Sequence, residues 1–401
     1  MHKPTSPRKL IFRFLVCLLL HISISACQGN EPWQRHVIDS SPVGADGVRL
    51  ADFNRDGRLD VVTGWEESGV IRLYLNPGPS KSKQRWPYCE IGKGQSPEDA
   101  VPFDVDGDGI LEVISCHEGN FKQVLIHKFN ANSNFRLGGK DGQAILDPNN
   151  WTTRSVSKLA GQKWMFATPI QLKNSRRGIV IGSKGSQATL TLLIQPDETV
   201  TDLNLWLAIK IRDCGWIMSI QNIDMDQDGD IDIVFSDRKT DTRVVGWLEQ
   251  PNGNAAKDIW KVHQIGATET EPMFIDATPN RILVATRKSN WIDFRRVADG
   301  AWTKTLFDNP PSVPLGKAIR QFGDDNIVLT ANTAADKAQT DQPGLWLKTP
   351  GAQWKPIGSK TECKFDRIEL IDLDDDGDLD VLTCEERKQL GVVWYENPGV
   401  K

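Results

Sequence analysis

The chain has 401 residues, of which 39% are hydrophobic and 25% charged, and its formal net charge is −5. This composition is typical of a folded globular protein and excludes an intrinsically disordered chain. Beyond the N-terminus no segment is apolar enough to span a bilayer. Because no basic stripe accompanies the acidic balance, we expect no nucleic-acid partner.

The N-terminus is predicted to be a signal peptide. A basic region precedes an apolar run from Leu10 to about Leu20, which is too short to be a membrane span. The run leads into Ile24-Ser25-Ala26-Cys27, which is similar to a bacterial lipobox. In that case residues 1–26 are removed and Cys27 carries the lipid.

The predicted localisation of the protein follows from this N-terminus. We expect a bacterial envelope lipoprotein that is held to the membrane by an N-terminal lipid anchor, with residues 27–32 as a short tether. Ordinary cleavage after Ala26 is the alternative, and it would give a secreted or periplasmic protein.

A tryptophan opens a short β-like run seven times along the chain. These residues are Trp33, Trp86, Trp151, Trp206, Trp260, Trp302 and Trp354. Their intervals of about 40 to 65 residues leave room for several short strands each, as in the blades of a β-propeller. We therefore predict an all-β, seven-bladed β-propeller in a single domain, residues 33–401. The strand after Trp33 would complete the last blade and close the ring.

Four nine-residue segments alternate carboxylates and end on an acid. Oxygen ligands occupy positions 1, 3, 5 and 9 of each segment: Asp52, Asn54, Asp56, Asp60; Asp104, Asp106, Asp108, Glu112; Asp224, Asp226, Asp228, Asp232; Asp372, Asp374, Asp376, Asp380. This alternation places hard oxygen ligands on one side of a tight loop, as Ca²⁺ requires. A glycine at position 6 permits the turn. We expect about four Ca²⁺ ions.

These acidic loops differ from EF-hands, whose closing acid stands at position 12 and leads into a helix. Here β-branched residues such as Val61-Val62 follow the loop, so each loop is predicted to join two antiparallel strands. The alternative is an acidic hairpin without metal, in which the carboxylates would repel one another. Blades 3, 5 and 6 have ordinary turn residues at this place (173–178, 278–281 and 323–326), so four ions are expected rather than seven.

With these loops and flanking strands, the chain resembles the FG-GAP/VCBS repeat family, which includes the repeats of integrin α-subunit propellers and of many secreted bacterial proteins. The resemblance spans roughly residues 33–401. It implies a propeller stabilised by calcium. It does not imply one activity, because family members include adhesion domains, lectins and modules of polysaccharide-acting proteins.

The face opposite the acidic loops is the candidate ligand surface. There the beginnings of the first strands and the loops between the second and third strands meet near the central channel. The candidate residues are Trp65, Glu66, His117, Glu118, Trp164, Trp216, Arg238, Arg287, Asp366 and Glu385. Acids come mostly from blades 1, 2 and 7 and bases from blades 3 to 6, which predicts a bipolar mouth. A rim of mutually paired, solvated charges is the alternative.

Three functions are compatible with such a mouth. The first is a binding or adhesion module for a carbohydrate or protein ligand. The second is a polysaccharide lyase or hydrolase that uses Glu66, Glu67, His117 or Glu118, although no nucleophile motif is present and we assign no catalytic residue. The third is a scaffold in an envelope complex. We expect a monomer.

Five cysteines remain in the predicted propeller: Cys89, Cys116, Cys214, Cys363 and Cys384. Export permits disulfides, and Cys89–Cys116 and Cys363–Cys384 are candidate pairs. The odd number leaves one thiol over, and the spacing alone does not decide the pairing. No CxxC motif suggests zinc.

Overall fold

A computed structural model describes residues 32–130, 139–173, 175–287, 289–311, 313, 315–323, 325–331, 343–360, 362 and 364–399. The predicted signal peptide, Cys27 and Cys363 therefore lie outside the described residues. Within the described part of the chain, no helix is long and apolar enough to cross a membrane.

The described chain is built almost entirely of short strands, beginning with β1 (Gln34–Asp39). Blade 1 consists of β2 (Ala45–Ala51), β3 (Asp60–Trp65), β4 (Val70–Tyr74) and β5 (Tyr88–Lys93). Blade 2 consists of β6 (Pro97–Phe103), β7 (Glu112–His117), β8 (Val124–Phe129) and β9 (Trp151–Ser155). Blades 3 and 4 consist of β10 (Lys163–Gln171), β11 (Arg177–Lys184), β12 (Thr189–Ile194), β13 (Leu207–Asp213), and β14 (Ile217–Ile223), β15 (Asp232–Asp237), β16 (Val244–Glu249), β17 (Lys261–Gly266).

The second half of the chain repeats this arrangement. Blades 5 and 6 consist of β18 (Pro272–Thr278), β19 (Arg281–Thr286), β20 (Trp291–Arg296), β21 (Trp302–Phe307), and β22 (Gly316–Phe322), β23 (Asn326–Ala331), β24 (Leu345–Lys348), β25 (Lys355–Pro356). Blade 7 contains β26 (Phe365–Ile371), β27 (Asp380–Glu385) and β28 (Gly391–Glu396). Its fourth strand is β1, which pairs antiparallel with β28.

Seven four-stranded antiparallel sheets result, and they confirm the predicted all-β, seven-bladed propeller. The first strands of the blades form the inner ring, since each contacts the first strands of both neighbouring blades, including β2 against β26. Side chains between the sheets form the core, and most apolar residues of the second and third strands are fully buried.

Tryptophans anchor the outer strands, as their spacing predicts. In four blades the indole N–H donates to a backbone carbonyl a few residues upstream: Trp86 to Ser82, Trp151 to Ile145, Trp206 to Val200 and Trp260 to Ala255. All four rings are buried. These residues therefore fix the chain where it turns into the fourth strand, and their role is packing.

The acidic loops join first and second strands in blades 1, 2, 4 and 7, so they share one face of the propeller. The position-9 acid is the first residue of the second strand in each case. The glycine at position 6 has φ between 83° and 95° in all four loops, a conformation that side chains disfavour.

Candidate functional site

Each acidic loop is folded around its own backbone N–H groups. In the loop of blade 1, Gly57 N–H donates to Asp52 Oδ2 (2.9 Å) and Asp56 N–H donates to Asn54 Oδ1 (3.0 Å). The bond from position 6 to position 1 recurs in the other three loops at 3.0–3.2 Å. The side-chain oxygens are thereby turned toward a common centre, as a metal loop requires.

The position-9 acids are buried and fasten each loop to the sheet. Asp232 accepts N–H bonds from Met225 within the loop (2.9 Å) and from Gln250 beyond the third strand (2.9 Å). The same in-loop bond, at 2.9 Å, occurs in the other three loops. Burial raises the pKa of each acid to about 7, although the N–H donors oppose the shift; these acids are Asp60, Glu112, Asp232 and Asp380.

The donor sets fit a hard cation. Carboxylate oxygens of Asp224, Asp226 and Asp232 lie within 4.8 Å of one another, and those of the first three acids in the blade 2 loop do the same. In the blade 7 loop, Asp374 Oδ1 and Asp378 Oδ1 are buried and accept no hydrogen bond from a described residue. Oxygen-only ligands with free lone pairs suit Ca²⁺.

A basic side chain also approaches each acidic loop. Lys83 Nζ lies 3.0 Å from Asp374 Oδ2, and Lys173 Nζ lies 2.8 Å from Asp230 Oδ2. Arg58 contacts the blade 1 loop and Lys128 the blade 2 loop. These cations offset part of the negative charge of the loops.

Blade 5 has no acidic loop and closes the same turn differently. Arg281 pairs with Asp293 (Nη2–Oδ2, 2.8 Å) and with Asp325 of blade 6 (Nη1–Oδ1, 2.6 Å). Its own N–H donates to Thr278 Oγ1 (3.0 Å). An arginine bridge thus connects neighbouring blades here.

The mouth on the opposite face gathers charged side chains from all seven blades. Lys184 of blade 3 contacts Glu118 and lies 3.6 Å from Glu98 Oε1, both of blade 2. Lys317 of blade 6 contacts Asp366 of blade 7. These two ion pairs join a base of blade 3 or 6 to an acid of the neighbouring blade 2 or 7, where the basic blades meet the acidic ones.

Aromatic and cationic groups stack in blade 4. The Arg238 guanidinium lies 4.0 Å and the Lys184 ammonium 4.5 Å from the centroid of the partly exposed Trp216 ring. Arg238 Nε also lies 3.2 Å from Glu271 Oε2 of blade 5. Burial lowers the pKa of Arg238, and the positive charge of Arg287 lowers it further. The Arg287 side chain is partly exposed.

Lys364 and Glu386 join the acidic side of the mouth. Lys364 Nζ contacts Glu386 and lies 3.7 Å from Asp366 Oδ2. Burial opposes ionisation of Asp366, but Lys317 and Lys364 outweigh it and lower its pKa. Burial, followed by the charges of Asp366 and Glu98, raises the pKa of Asp46 well above its usual range.

Six of the residues proposed for the ligand surface are buried, and four of these make packing or turn contacts instead. The Trp65 indole N–H donates to Tyr74 Oη (3.0 Å), and the Trp164 indole N–H donates to the Leu159 carbonyl (2.5 Å). Glu385 accepts N–H bonds from the backbone of its own turn. Their side chains therefore serve packing and turn closure: Trp65 and Glu385 end second strands, and Trp164 lies at the start of a first strand.

His117 is the fourth of these residues, and it belongs to a polar chain inside blade 2. Its Nε2 lies 2.7 Å from Ser115 Oγ, which is also 2.7 Å from His127 Nε2. Burial lowers the pKa of His117 to about 4 and that of His127 to about 3. Both rings are therefore neutral, and His117 is not available as a surface acid or base.

The other predicted residues belong to the mouth: Glu66, Glu118, Trp216 and Arg287 are partly exposed, whereas Arg238 and Asp366 are buried in ion pairs with neighbouring blades. Lys364 was not among the residues selected from the sequence. Lys364 stands two positions before Asp366 on a strand-like run, so the alternation of side chains could have pointed to it.

The channel below the mouth is lined by paired charges. Arg49 Nη2 lies 2.6 Å from Asp99 Oδ2, and Arg367 Nε lies 2.6 Å from Glu369 Oε1. Arg49, Arg367 and Glu369 border a cavity of about 270 Å³. Charges in this cavity are matched, unlike those around Asp46.

The predicted disulfide Cys89–Cys116 is wrong. Cys89 lies on β5 of blade 1 and Cys116 on β7 of blade 2, and both are buried free thiols. Cys214 and Cys384 are free as well. The pair was expected within one blade, but the two cysteines lie in neighbouring blades.

Comparison with known proteins agrees with this architecture. Residues 52–115 match the FG-GAP-like repeat family, which confirms the resemblance drawn from the acidic loops. Comparison with curated proteins finds no match.

The fold is shared with several solved structures. The chain is similar to BBS1N in complex with ARL6DN, at 8% identity over 92% of this chain and 98% of that chain, with a TM-score of 0.52. It is also similar to a catalytically inactive virginiamycin B lyase from Staphylococcus aureus with quinupristin (13%; 90% and 97%; 0.50) and to Sqt1 from Saccharomyces cerevisiae (10%; 92% and 99%; 0.51). At these identities the likeness shows the fold alone. The chain is a seven-bladed β-propeller with FG-GAP-like repeat sequence in its first two blades.

Proposed function

We propose that the chain is a calcium-stabilised extracytoplasmic binding module whose ligand surface is the mouth opposite the acidic loops. The observation that carries this proposal is the convergence of charged side chains from all seven blades on one mouth, beside the partly exposed Trp216 ring. A polar surface with an aromatic platform suits a carbohydrate or a polar protein segment.

The cations around Trp216 support a polar ligand in particular. Lys184, Arg238 and Arg287 present hydrogen-bond donors, while Glu66 and Glu118 present acceptors within the same mouth. Such a surface can bind hydroxyl, carboxylate and amide groups together. A protein ligand is compatible with the fold, since BBS1N has the same fold and its structure contains a protein partner.

Calcium has a structural role in this proposal. Residues at positions 1, 3, 5 and 9 of the four acidic loops would hold the ions, and each ion would supply positive charge among carboxylates that otherwise repel one another. Free oxygen lone pairs in the blade 7 loop support this assignment.

The enzyme alternative loses one of its candidate groups. His117 is buried and neutral in the Ser115–His127 network. Glu66 remains a candidate general acid, because burial and then the negative charge of Glu67 raise its pKa. A lyase or hydrolase would have to rely on Glu66, Glu67 and Glu118 alone.

A glycan array, followed by a screen for protein partners, tests the binding function. Purified calcium-loaded protein should bind a ligand, and both Trp216→Ala and Arg287→Glu should reduce binding at least tenfold. Asp241→Ala, which changes an exposed residue on the same face, is the matched control and should bind normally. Unchanged binding in both mouth variants would overturn the assignment of this surface.

The lipid anchor is tested separately. We infer that Cys27 holds the protein to the bacterial envelope, on the lipobox-like residues before it. Cys27→Ser should move the protein from the membrane fraction to the soluble fraction. Continued membrane association of that variant would contradict lipidation.

A further inference from the structure

Five carboxylates from three neighbouring blades converge at the channel mouth. Oxygens of Asp46, Glu66 and Glu98 lie within 4.8 Å of one another, and so do those of Asp46, Asp366 and Glu386. Asp46 belongs to both groups, so it stands at their common centre. These residues come from the first strands of blades 1, 2 and 7 and from two adjoining loops.

The Asp46 carboxylate is buried without a partner. Its residue is only 4% exposed, and among the described residues no hydrogen bond or ion pair reaches its side chain. Asp366 Oδ2 is likewise buried and accepts no hydrogen bond from a described residue, with Lys364 Nζ 3.7 Å away. A buried carboxylate without a partner is costly, so the surroundings of Asp46 favour the binding of a positive group.

The neighbouring lysines do not supply that group. Lys184 contacts Glu118 and lies 3.6 Å from Glu98, while Lys317 and Lys364 contact Asp366 and Glu386 at the side of blade 7. Three ammonium groups therefore face at least six carboxylates, and none of the three comes within ion-pair distance of Asp46. The excess of negative charge is greatest at the centre of the cluster.

We propose that Asp46, Glu66, Glu98, Asp366 and Glu386 form a binding site for a hard divalent cation at the channel mouth. All the donors are carboxylate oxygens, which suit Ca²⁺, Mn²⁺ or Mg²⁺ better than a soft metal. The oxygens of each group of three lie within 4.8 Å of one another, which is close enough to surround one ion, and Asp46 is common to both groups. A larger organic cation does not fit, since Asp46, Glu98, Asp366 and Glu386 are all nearly fully buried.

This site differs from the acidic loops in one respect that bears on function. Its ligands come from separate blades, and Glu66 on its outer side is partly exposed. An ion held there has an open side that a water molecule or a ligand oxygen can occupy. The site goes beyond the proposed function, because the ion can bind whether or not the mouth holds a carbohydrate or protein.

Manganese is a suitable probe because its anomalous scattering locates it directly. Crystals of the full chain grown with Mn²⁺ should give an anomalous peak among the carboxylates around Asp46, separate from any peaks in the acidic loops. Equilibrium dialysis should give one Mn²⁺ fewer for Asp46→Asn than for the wild type. Asp241→Asn is the control and should bind the wild-type number.

The outcomes distinguish this site from the acidic loops. Peaks in the loops alone, or equal Mn²⁺ counts for the wild type and Asp46→Asn, would overturn the proposal. Glu98→Gln provides a second variant if Asp46→Asn does not fold, with the same expected loss of one ion. Loss of glycan or protein binding without loss of the ion would leave this site standing and would concern the ligand surface only.

Discussion

The two faces of the propeller use carboxylates in opposite ways. On the loop face, Asp52 accepts an N–H five residues away, and the other loops repeat this bond. On the mouth face, Asp366 and Glu98 meet lysines of other blades that are distant in sequence. The carboxylates of the acidic loops are therefore positioned by bonds within one loop, whereas those of the mouth are positioned only when the ring of blades closes.

This difference separates stability from binding. Three position-9 acids, Asp60, Asp232 and Asp380, accept N–H bonds both from the loop and from the chain beyond the third strand, so they fasten elements of the fold. Exposed residues of the mouth, such as Arg287, can be replaced without disturbing the fold. We expect mutations on the loop face to change melting, and mutations at the exposed mouth to change binding.

Removal of a position-9 acid should have the largest effect. Asp380 accepts N–H bonds from Leu373 (2.9 Å) and Asn397 (2.9 Å). Asp380→Ala leaves both donors unsatisfied, at about 1 to 3 kcal/mol for each. Urea unfolding should show a loss of about 2 to 6 kcal/mol. Asp241→Ala is the exposed control, with a change within about 0.5 kcal/mol; equal losses in both would remove the fastening role.

The pH dependence without metal should be intermediate in size. Burial raises the pKa of Asp60, Asp232 and Asp380 to about 7 in the folded protein, against about 4 in the unfolded chain. An acid whose folded pKa is raised contributes stability that is complete below the unfolded pKa and is lost as pH rises toward 7. In EDTA, the melting temperature should therefore fall between about pH 4 and pH 7.

A variant isolates that pH effect. Asp232→Asn cannot ionise, so its melting temperature in EDTA should fall less steeply with pH than that of the wild type. Added calcium favours the carboxylate form and should flatten the wild-type slope. A wild-type melting temperature that rises with pH in EDTA, relative to Asp232→Asn, would refute the assigned direction.

The smallest change in stability should come from the exposed mouth. Arg287→Ala should alter the free energy of unfolding by less than about 0.5 kcal/mol, since the side chain is partly exposed. The same variant should weaken ligand binding, as measured by surface plasmon resonance with the ligand found on the array. A large loss of stability would show that Arg287 is a structural residue and would contradict the proposed difference between the two faces.

The fold was largely predictable because its signals are local or periodic. The outer-strand tryptophans recur once per blade, and a glycine at position 6 marks the tight turn in each of four loops. The structure places these glycines at positive φ. The depth of individual side chains was not predictable in this way. Trp65 and His117 end a second strand, and only the packing of neighbouring sheets decides that they point into the core.

The mouth could be predicted as a region but not as a set of contacts. The blades that supply its acids follow from the repeat, yet the Lys364–Glu386 contact depends on how two loops fold back at one blade. The cysteines illustrate the same limit. Cys89 and Cys116 lie close in sequence, but the boundary between blades separates them.

The melting temperature with and without free calcium tests the central contrast most directly. EDTA should lower the wild-type melting temperature by several degrees or more, and calcium in excess should restore it, because an ion that binds only the folded state adds to its stability. Arg287→Ala should respond to EDTA as the wild type does. A melting curve that EDTA leaves unchanged would contradict calcium as the fastener of the acidic loops.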